Sequence, residues 1–312
     1  MSSFQEGESV KLRRNIMKLP TFLVVGIEKA GTTSIYQYLN QHPQVYMSPV
    51  KETNFLERDW ENFQGKPNSK RIDTWEKYSN LFSNVQDEIA IGEVSPNYLF
   101  HYKSSSERII KYVPDVKIIA ILRNPVDRAY SDYLMHLRDS INVEKVRSLT
   151  EQVQFRADTS FTLKKGFYYT PVKYYFDTFG KERVKIYLYN DLSENSSAMM
   201  QDMYQFIGVN SDFTPDTSER QQVAAVPKNQ SLNNLMKTKN PVRAAVSSVL
   251  KVVMPLEMRQ KLRSSLVNLN SGGKELKPLS SEERQLLIDF YREDILKLQD
   301  LIQRDLSSWL VI

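Results

Sequence analysis

The chain contains no cysteine, so disulfides, thiolate metal sites and cysteine nucleophiles are all excluded. Its only histidines are His42, His101 and His136, too few for a histidine-rich metal centre. No apolar run is long enough to span a bilayer. The first, Leu19 to Ile27, falls well short of the roughly 20 residues required and contains Pro20. Residues 1–18 are polar and carry no apolar signal core, and they are expected to form a flexible lead-in to one domain over 19–312. These absences lead to the expectation of a cytoplasmic protein. Internal repeats and low-complexity tracts are absent as well. The net charge of +5 over 312 residues suits an anionic ligand but is too small and dispersed for a nucleic-acid interface.

What the sequence does contain is organised around Thr21 to Leu39. An apolar, β-branched run, Phe22 to Ile27, has the character of a buried parallel strand. Ile35, Tyr38 and Leu39 follow at helical spacing. Between them lies the turn Glu28-Lys29-Ala30-Gly31-Thr32-Thr33. A strand, a glycine-containing turn and a helix N-terminus together bring free backbone N–H groups and the helix dipole to one point, which suits a phosphate-like anion. Gly26 and Gly31 have the spacing of the nucleotide-triphosphatase P-loop, G-x-x-x-x-G-K-[ST], but Thr32 stands where the lysine belongs. Lys29 lies inside the loop instead. The stretch therefore reads as a P-loop relative for a shorter phosphate group, against the plainer reading of a βα turn with a surface lysine.

Further strands are expected at Val45–Met47, Ile89–Val94, Val116–Leu122 and Val184–Tyr189. Helices are expected from Trp75 to Phe82, from Ser104 to Tyr112 with Ser106 or a neighbour as cap and Ile109, Ile110 and Val113 inward, and from Pro125 to about Arg138. Later helices are expected over 149–157, 170–179, 193–207, 241–253 and 255–269. Ser280 with Glu283 forms a capping box that opens a last helix through about Leu306. Residues 57–75 and 210–230 read as surface excursions that could cover a ligand. Strands interleaved with helices predict an α/β fold: a P-loop-like central parallel sheet flanked by helices on both faces, with a helix-rich C-terminal half.

A second anion signal follows the most strand-like run. Arg123-Asn124-Pro125 leaves a strand at its carboxyl end, where ligands bind in open α/β sheets, and Ser131 lies about two helical turns on. An arginine fork and a hydroxyl can hold a phosphate. Equally, Arg123 can pair with Asp127, and Ser131 can be a small packing residue. Two anion sites on strand ends favour a nucleoside with phosphates at both ends.

On these residues the chain resembles the sulfotransferases that use 3′-phosphoadenosine-5′-phosphosulfate (PAPS), in particular the heparan sulfate sulfotransferase-like branch and its bacterial relatives. The loop Gly26 to Thr33 resembles the family's 5′-phosphosulfate loop, and Arg123 to Ser131 its 3′-phosphate signature. Lys51-Glu52-x-x-Phe55, Gly92-Glu93-x-Ser95-Pro96-x-Tyr98 and Gly166-Phe167-Tyr168 fall in the same order, and Arg304-Asp305-Leu306 with Trp309 is similar to the family's ending. The resemblance covers about Phe22 to Trp309.

It implies transfer of a sulfonate from PAPS to an alcohol hydroxyl, with a saccharide as the first acceptor to consider, 3′,5′-ADP as product and no metal. Lys29 would stabilise the leaving phosphate, and Ala30, Gly31, Thr32, Thr33 and Ser34 would line the 5′ site. Arg123 and Ser131 would hold the 3′-phosphate, and Lys228 would close over the nucleotide. Glu52 would be the general base, with Glu93 as the second candidate; alternatively Glu52 merely pairs with Lys51 or Lys29. Val94 stands where the branch carries a lysine, and Thr33 likewise replaces a basic residue, which leaves the acceptor open. His136 either faces the acceptor or packs. The tyrosines at 168, 169, 174 and 175 either line an acceptor groove or fill the core. A β-hydroxyacyl chain on a carrier protein is an alternative acceptor. From other classes, a P-loop nucleotide kinase and a non-catalytic nucleotide-binding module are also considered. The first conflicts with the displaced lysine, the second with the presence of both Lys29 and Glu52. The resemblance and the missing anchor lead to the expectation of a cytoplasmic, bacterial-type enzyme.

Overall fold

A computed structural model describes residues 18–60, 62–63, 71–139, 146–217 and 278–312. Lys228, the helices expected over 241–253 and 255–269, and residues 1–17 of the lead-in lie outside the described residues.

The five apolar runs form one parallel sheet: β1 (Phe22–Gly26), β2 (Val45–Met47), β3 (Ala90–Val94), β4 (Lys117–Leu122) and β5 (Val184–Leu188), in the order β2-β3-β1-β4-β5. Every residue of β1 and β3 is buried, as required of strands covered on both faces, and this is why they read as continuous apolar runs rather than alternating ones. Because β1 sits between β3 and β4, residues distant in sequence become neighbours across the sheet: Leu23 pairs with Glu93 and Val24 with Ile119.

The flanking helices are α1 (Thr32–Asn40), α2 (Trp75–Asn80), α3 (Tyr102–Tyr112), α4 (Pro125–Asp139), α5 (Leu149–Arg156), α6 (Phe161–Lys164), α7 (Tyr169–Phe179), α8 (Tyr189–Glu194), α9 (Ser196–Ile207) and α10 (Ser281–Ile302). The Ser280–Glu283 capping box is formed in full. Several boundaries differ from expectation. The helix expected over 193–207 is divided, because Asn195 takes an extended φ of −146° and its side chain accepts from Ala198 N–H at 3.0 Å, capping α9. In α3 no side chain caps the start, Ser106 is buried, and Ile110 is 52% exposed rather than inward. α10 stops at Ile302, where Gln303 turns left-handed with φ 53°.

Candidate active site

The loop after β1 is shaped by two glycines. A Cβ on Gly26 would lie 2.5 Å from Leu99 Cβ, so the segment after β3 can lie directly against the strand end. Gly31 has φ +84°, is the N-cap of α1, and a Cβ there would lie 2.5 Å from Leu192 of α8. Lys29 also takes a left-handed φ, 72°. No side chain caps α1, so the first-turn N–H groups of Thr32, Thr33 and Ser34 and the positive end of the dipole have no side-chain acceptor of their own at the cap. Ala30 is fully buried and anchors the loop from beneath.

The two expected anion signals meet. Arg123, at the end of β4, donates from Nη1 to the Lys29 carbonyl at 3.0 Å across 94 positions of sequence. Its guanidinium also lies over the Tyr189 ring, 4.7 Å from the centroid. It does not pair with Asp127, which instead accepts from Arg284 of α10 at 2.5 Å. Lys29 Nζ comes within 3.7 Å of Met135 Sδ. Ser131 is four residues before Met135 on α4, and so lies on the same face of that helix. Tyr168 supports the arrangement from below: its hydroxyl donates to the Arg123 carbonyl at 2.9 Å. Burial pushes that hydroxyl well above the usual tyrosine range, so it stays protonated as a donor. Asp294 of α10 accepts from the Tyr168 N–H at 2.7 Å, and burial raises its pKa.

On the other side of β1, Glu52 follows β2 and its N–H donates to the Val94 carbonyl at 2.8 Å, so it stands at the end of β3. Its side chain is 44% exposed and pairs with Lys51. Glu93 is different: its carboxylate is fully buried and accepts from Thr53, Tyr78, Ser95 and Tyr98 at 2.5–2.7 Å. Glu93 is therefore enclosed beneath the edge as an internal carboxylate, whereas Glu52, the first base candidate, is exposed. Of the four tyrosines considered, Tyr168 and Tyr175 are core residues, while Tyr169 and Tyr174 are half-buried. His136 is exposed, with Nδ1 3.4 Å from Thr162 Oγ1, so it is not a packing histidine.

Sequence reasoning passed over three groups at this edge. Lys165 pairs with Glu28 of the loop, His101 lies 3.5 Å from Glu57, and Tyr189 stacks on Arg123. Burial lowers the His101 pKa, an effect that Glu57 opposes. Tyr189, the first residue after β5, was open to the strand-end argument used for Arg123. The other pairings arise only in three dimensions.

A parallel sheet with an uncapped helix N-terminus, a loop lysine and a strand-end arginine at one edge makes a P-loop-like α/β fold with a candidate anion site. A family model, the sulfotransferase domain, matches residues 19–278, and the chain belongs to the sulfotransferase family. It is 30% identical to the crystal structure of a sulfotransferase from Alicyclobacillus acidocaldarius, with a TM-score of 0.67 covering 94% of this chain and 99% of that one. It is 26% identical over 307 residues to bifunctional heparan sulfate N-deacetylase/N-sulfotransferase 4 of Mus musculus, covering 94% of this chain and 31% of that protein. It is 27% identical over 132 residues to the membrane-associated sulfotransferase kil1 of Dictyostelium discoideum, covering 42% of this chain and 26% of that protein. The chain thus spans less than a third of the length of the curated relatives it matches. Among the described residues no helix is long and apolar enough to cross a membrane. Membership of the sulfotransferase family replaces the nucleotide-kinase reading.

Proposed function

We propose that the chain transfers a sulfonate from PAPS to a saccharide acceptor, as a cytoplasmic, bacterial-type enzyme that needs no metal. The observation that carries the donor assignment is the Arg123–Lys29 carbonyl hydrogen bond at 3.0 Å, which joins a 5′ anion loop to a strand-end guanidinium. An uncapped helix N-terminus between two cations fits a nucleotide with phosphates on both sides of its ribose. Bound PAPS supplies an activated sulfonate on a phosphate leaving group.

The remaining work falls to the chain's own residues, as in phosphoryl transfer: positioning, charge stabilisation and proton removal. Lys29 offsets negative charge growing on the leaving phosphate. Ala30, Gly31, Thr32, Thr33 and Ser34 line the 5′ site, with the N–H of Ala30 already spent on the Ile27 carbonyl. Arg123 and Ser131 hold the 3′-phosphate, and Lys228, outside the described residues, adds a cation. Glu52 takes the acceptor proton; its pairing with Lys51 must yield to the acceptor for it to do so. The saccharide assignment draws on the heparan sulfate relatives, whose name, N-sulfotransferase, adds an amino group to the hydroxyl as a possible acceptor atom.

Calorimetry should give clear preference for 3′,5′-ADP over ADP and ATP; equal or better binding of ATP would sink the donor assignment. Labelled PAPS offered to hydroxyl- and amine-bearing glycans, lipids and a hydroxyacyl carrier protein should label a glycan. Label on the carrier alone would replace the saccharide by the acyl chain.

A further inference from the structure

Glu93 has no access to solvent, yet it is the most heavily hydrogen-bonded side chain beside the site. Oε1 accepts from Thr53 Oγ1 at 2.5 Å, Ser95 Oγ at 2.7 Å and the Tyr98 hydroxyl at 2.7 Å; Oε2 accepts from the Tyr78 hydroxyl at 2.5 Å. All five residues are buried to 5% exposure or less. A hydroxyl has one proton to give, so once that proton points at Glu93 its lone pairs point elsewhere. Three of these hydroxyls turn them onto consecutive backbone N–H groups. Ser95 Oγ accepts from Asn54 at 3.2 Å, Thr53 Oγ1 from Phe55 at 3.2 Å, and the Tyr98 hydroxyl from Leu56 at 3.1 Å.

The segment so held is not relaxed. Glu52 and Asn54 both take left-handed φ values, 62° and 51°; asparagine adopts this region readily, but for Glu52 it costs of order 1 kcal/mol or more and persists only where surroundings impose it. Upstream the segment is tied by the Glu52 N–H to Val94. Downstream it is tied by the three hydroxyl-mediated bonds.

We infer that Glu93 is a positioning residue: its carboxylate orients Thr53, Ser95 and Tyr98 so that they hold residues 54–56 and thereby aim Glu52. The role rests on Glu52 being the base. An ionised carboxylate suits it because it only accepts. A glutamine can keep its amide oxygen on the three relay hydroxyls and turn its NH₂ onto Tyr78, but the neutral oxygen holds those hydroxyls more weakly than a carboxylate does, and the grip on the three backbone N–H groups loosens.

The test uses the full chain, labelled PAPS with N-deacetylated heparan sulfate as acceptor probe, calorimetry with 3′,5′-ADP, and amide hydrogen exchange. Glu93→Gln should lower kcat by about 10- to 100-fold through misplacement of Glu52, leave 3′,5′-ADP affinity within about twofold, and speed exchange at Asn54, Phe55 and Leu56 roughly tenfold. Retained nucleotide affinity certifies the fold. Thr53→Val, which keeps the shape and removes one relay hydroxyl, should reproduce the pattern at smaller amplitude. In Glu52→Gln the added Glu93→Gln change should cost nothing more in kcat. Unchanged exchange in both Glu93→Gln and Thr53→Val overturns the inference, and so does a double variant that loses the product of the two single effects. If Glu52→Gln keeps full turnover, the base assignment fails by itself; accelerated exchange in Glu93→Gln would still establish that Glu93 holds the segment. If the acceptor probe is not labelled, the exchange pattern decides.

Discussion

The two sides of β1 use charge in opposite ways. Toward β4, Lys29 and Arg123 are only partly buried, and Arg123 spends one N–H on a backbone carbonyl while its face rests on Tyr189. Most of its donors stay available for a ligand. Toward β3, the carboxylate of Glu93 is taken up internally by four hydroxyls, and the carboxylate at the surface, proposed as the base, is Glu52. Binding a polyanionic donor calls for cations at the sheet edge that can be turned onto it. Aiming a single proton acceptor calls for a rigid mount beneath it.

Four substitutions test whether the two sides are separable. Glu52→Gln should have the largest effect, a fall in kcat of roughly 10²- to 10⁴-fold with 3′,5′-ADP affinity nearly intact, measured by steady-state kinetics beside calorimetry. Full turnover in that variant would move the base elsewhere. Lys29→Ala, on the opposite side, should lower kcat by roughly 10²- to 10³-fold, because it removes a donor aimed at developing charge. Were its whole effect on KM, the lysine would belong to binding alone. Arg123→Ala should weaken 3′,5′-ADP by about 10- to 150-fold, the equivalent of a charged hydrogen bond, and leave 5′-ADP almost unchanged. An equal loss for both nucleotides would detach Arg123 from the 3′-phosphate. Tyr168→Phe should be mildest: a loss of about 1 kcal/mol of stability, read as a lower thermal midpoint, since it deletes one buried hydrogen bond to the Arg123 carbonyl.

Much of the donor side was legible in the sequence because it is local. Phe22 to Ile27 is apolar throughout since its strand is covered on both faces, and Gly31 sits where a left-handed N-cap is needed. Arg123 was recognisable as a strand-end residue, although its contact with Lys29 depends on β1 and β4 being neighbours. The β3 side was far less readable. Nothing in Glu93-Val94-Ser95 reveals that hydroxyls from residues 53, 78 and 98 converge on the carboxylate, because those partners come from three separate segments. Glu93 therefore looked like a second base when it is an internal acceptor. The break at Asn195 was missed for a different reason. Ser193 to Ile207 keeps an amphipathic pattern across it, and only the capping preference of asparagine hinted at two helices.

The hydrogen bonds around Tyr168 also bear on the order in which the protein can mature during synthesis. Lys29 and Arg123 are made early, but the N–H of Tyr168 is bound by Asp294, and α8, whose Leu192 lies against Gly31, is tied through Asp191 to Arg304. A nascent chain that has not yet released α10 from the ribosome carries the cations of the donor site without the struts behind them. On the proposed assignment, the two cations that would touch the donor emerge first, and their support is complete only once α10 and Arg304 have been made.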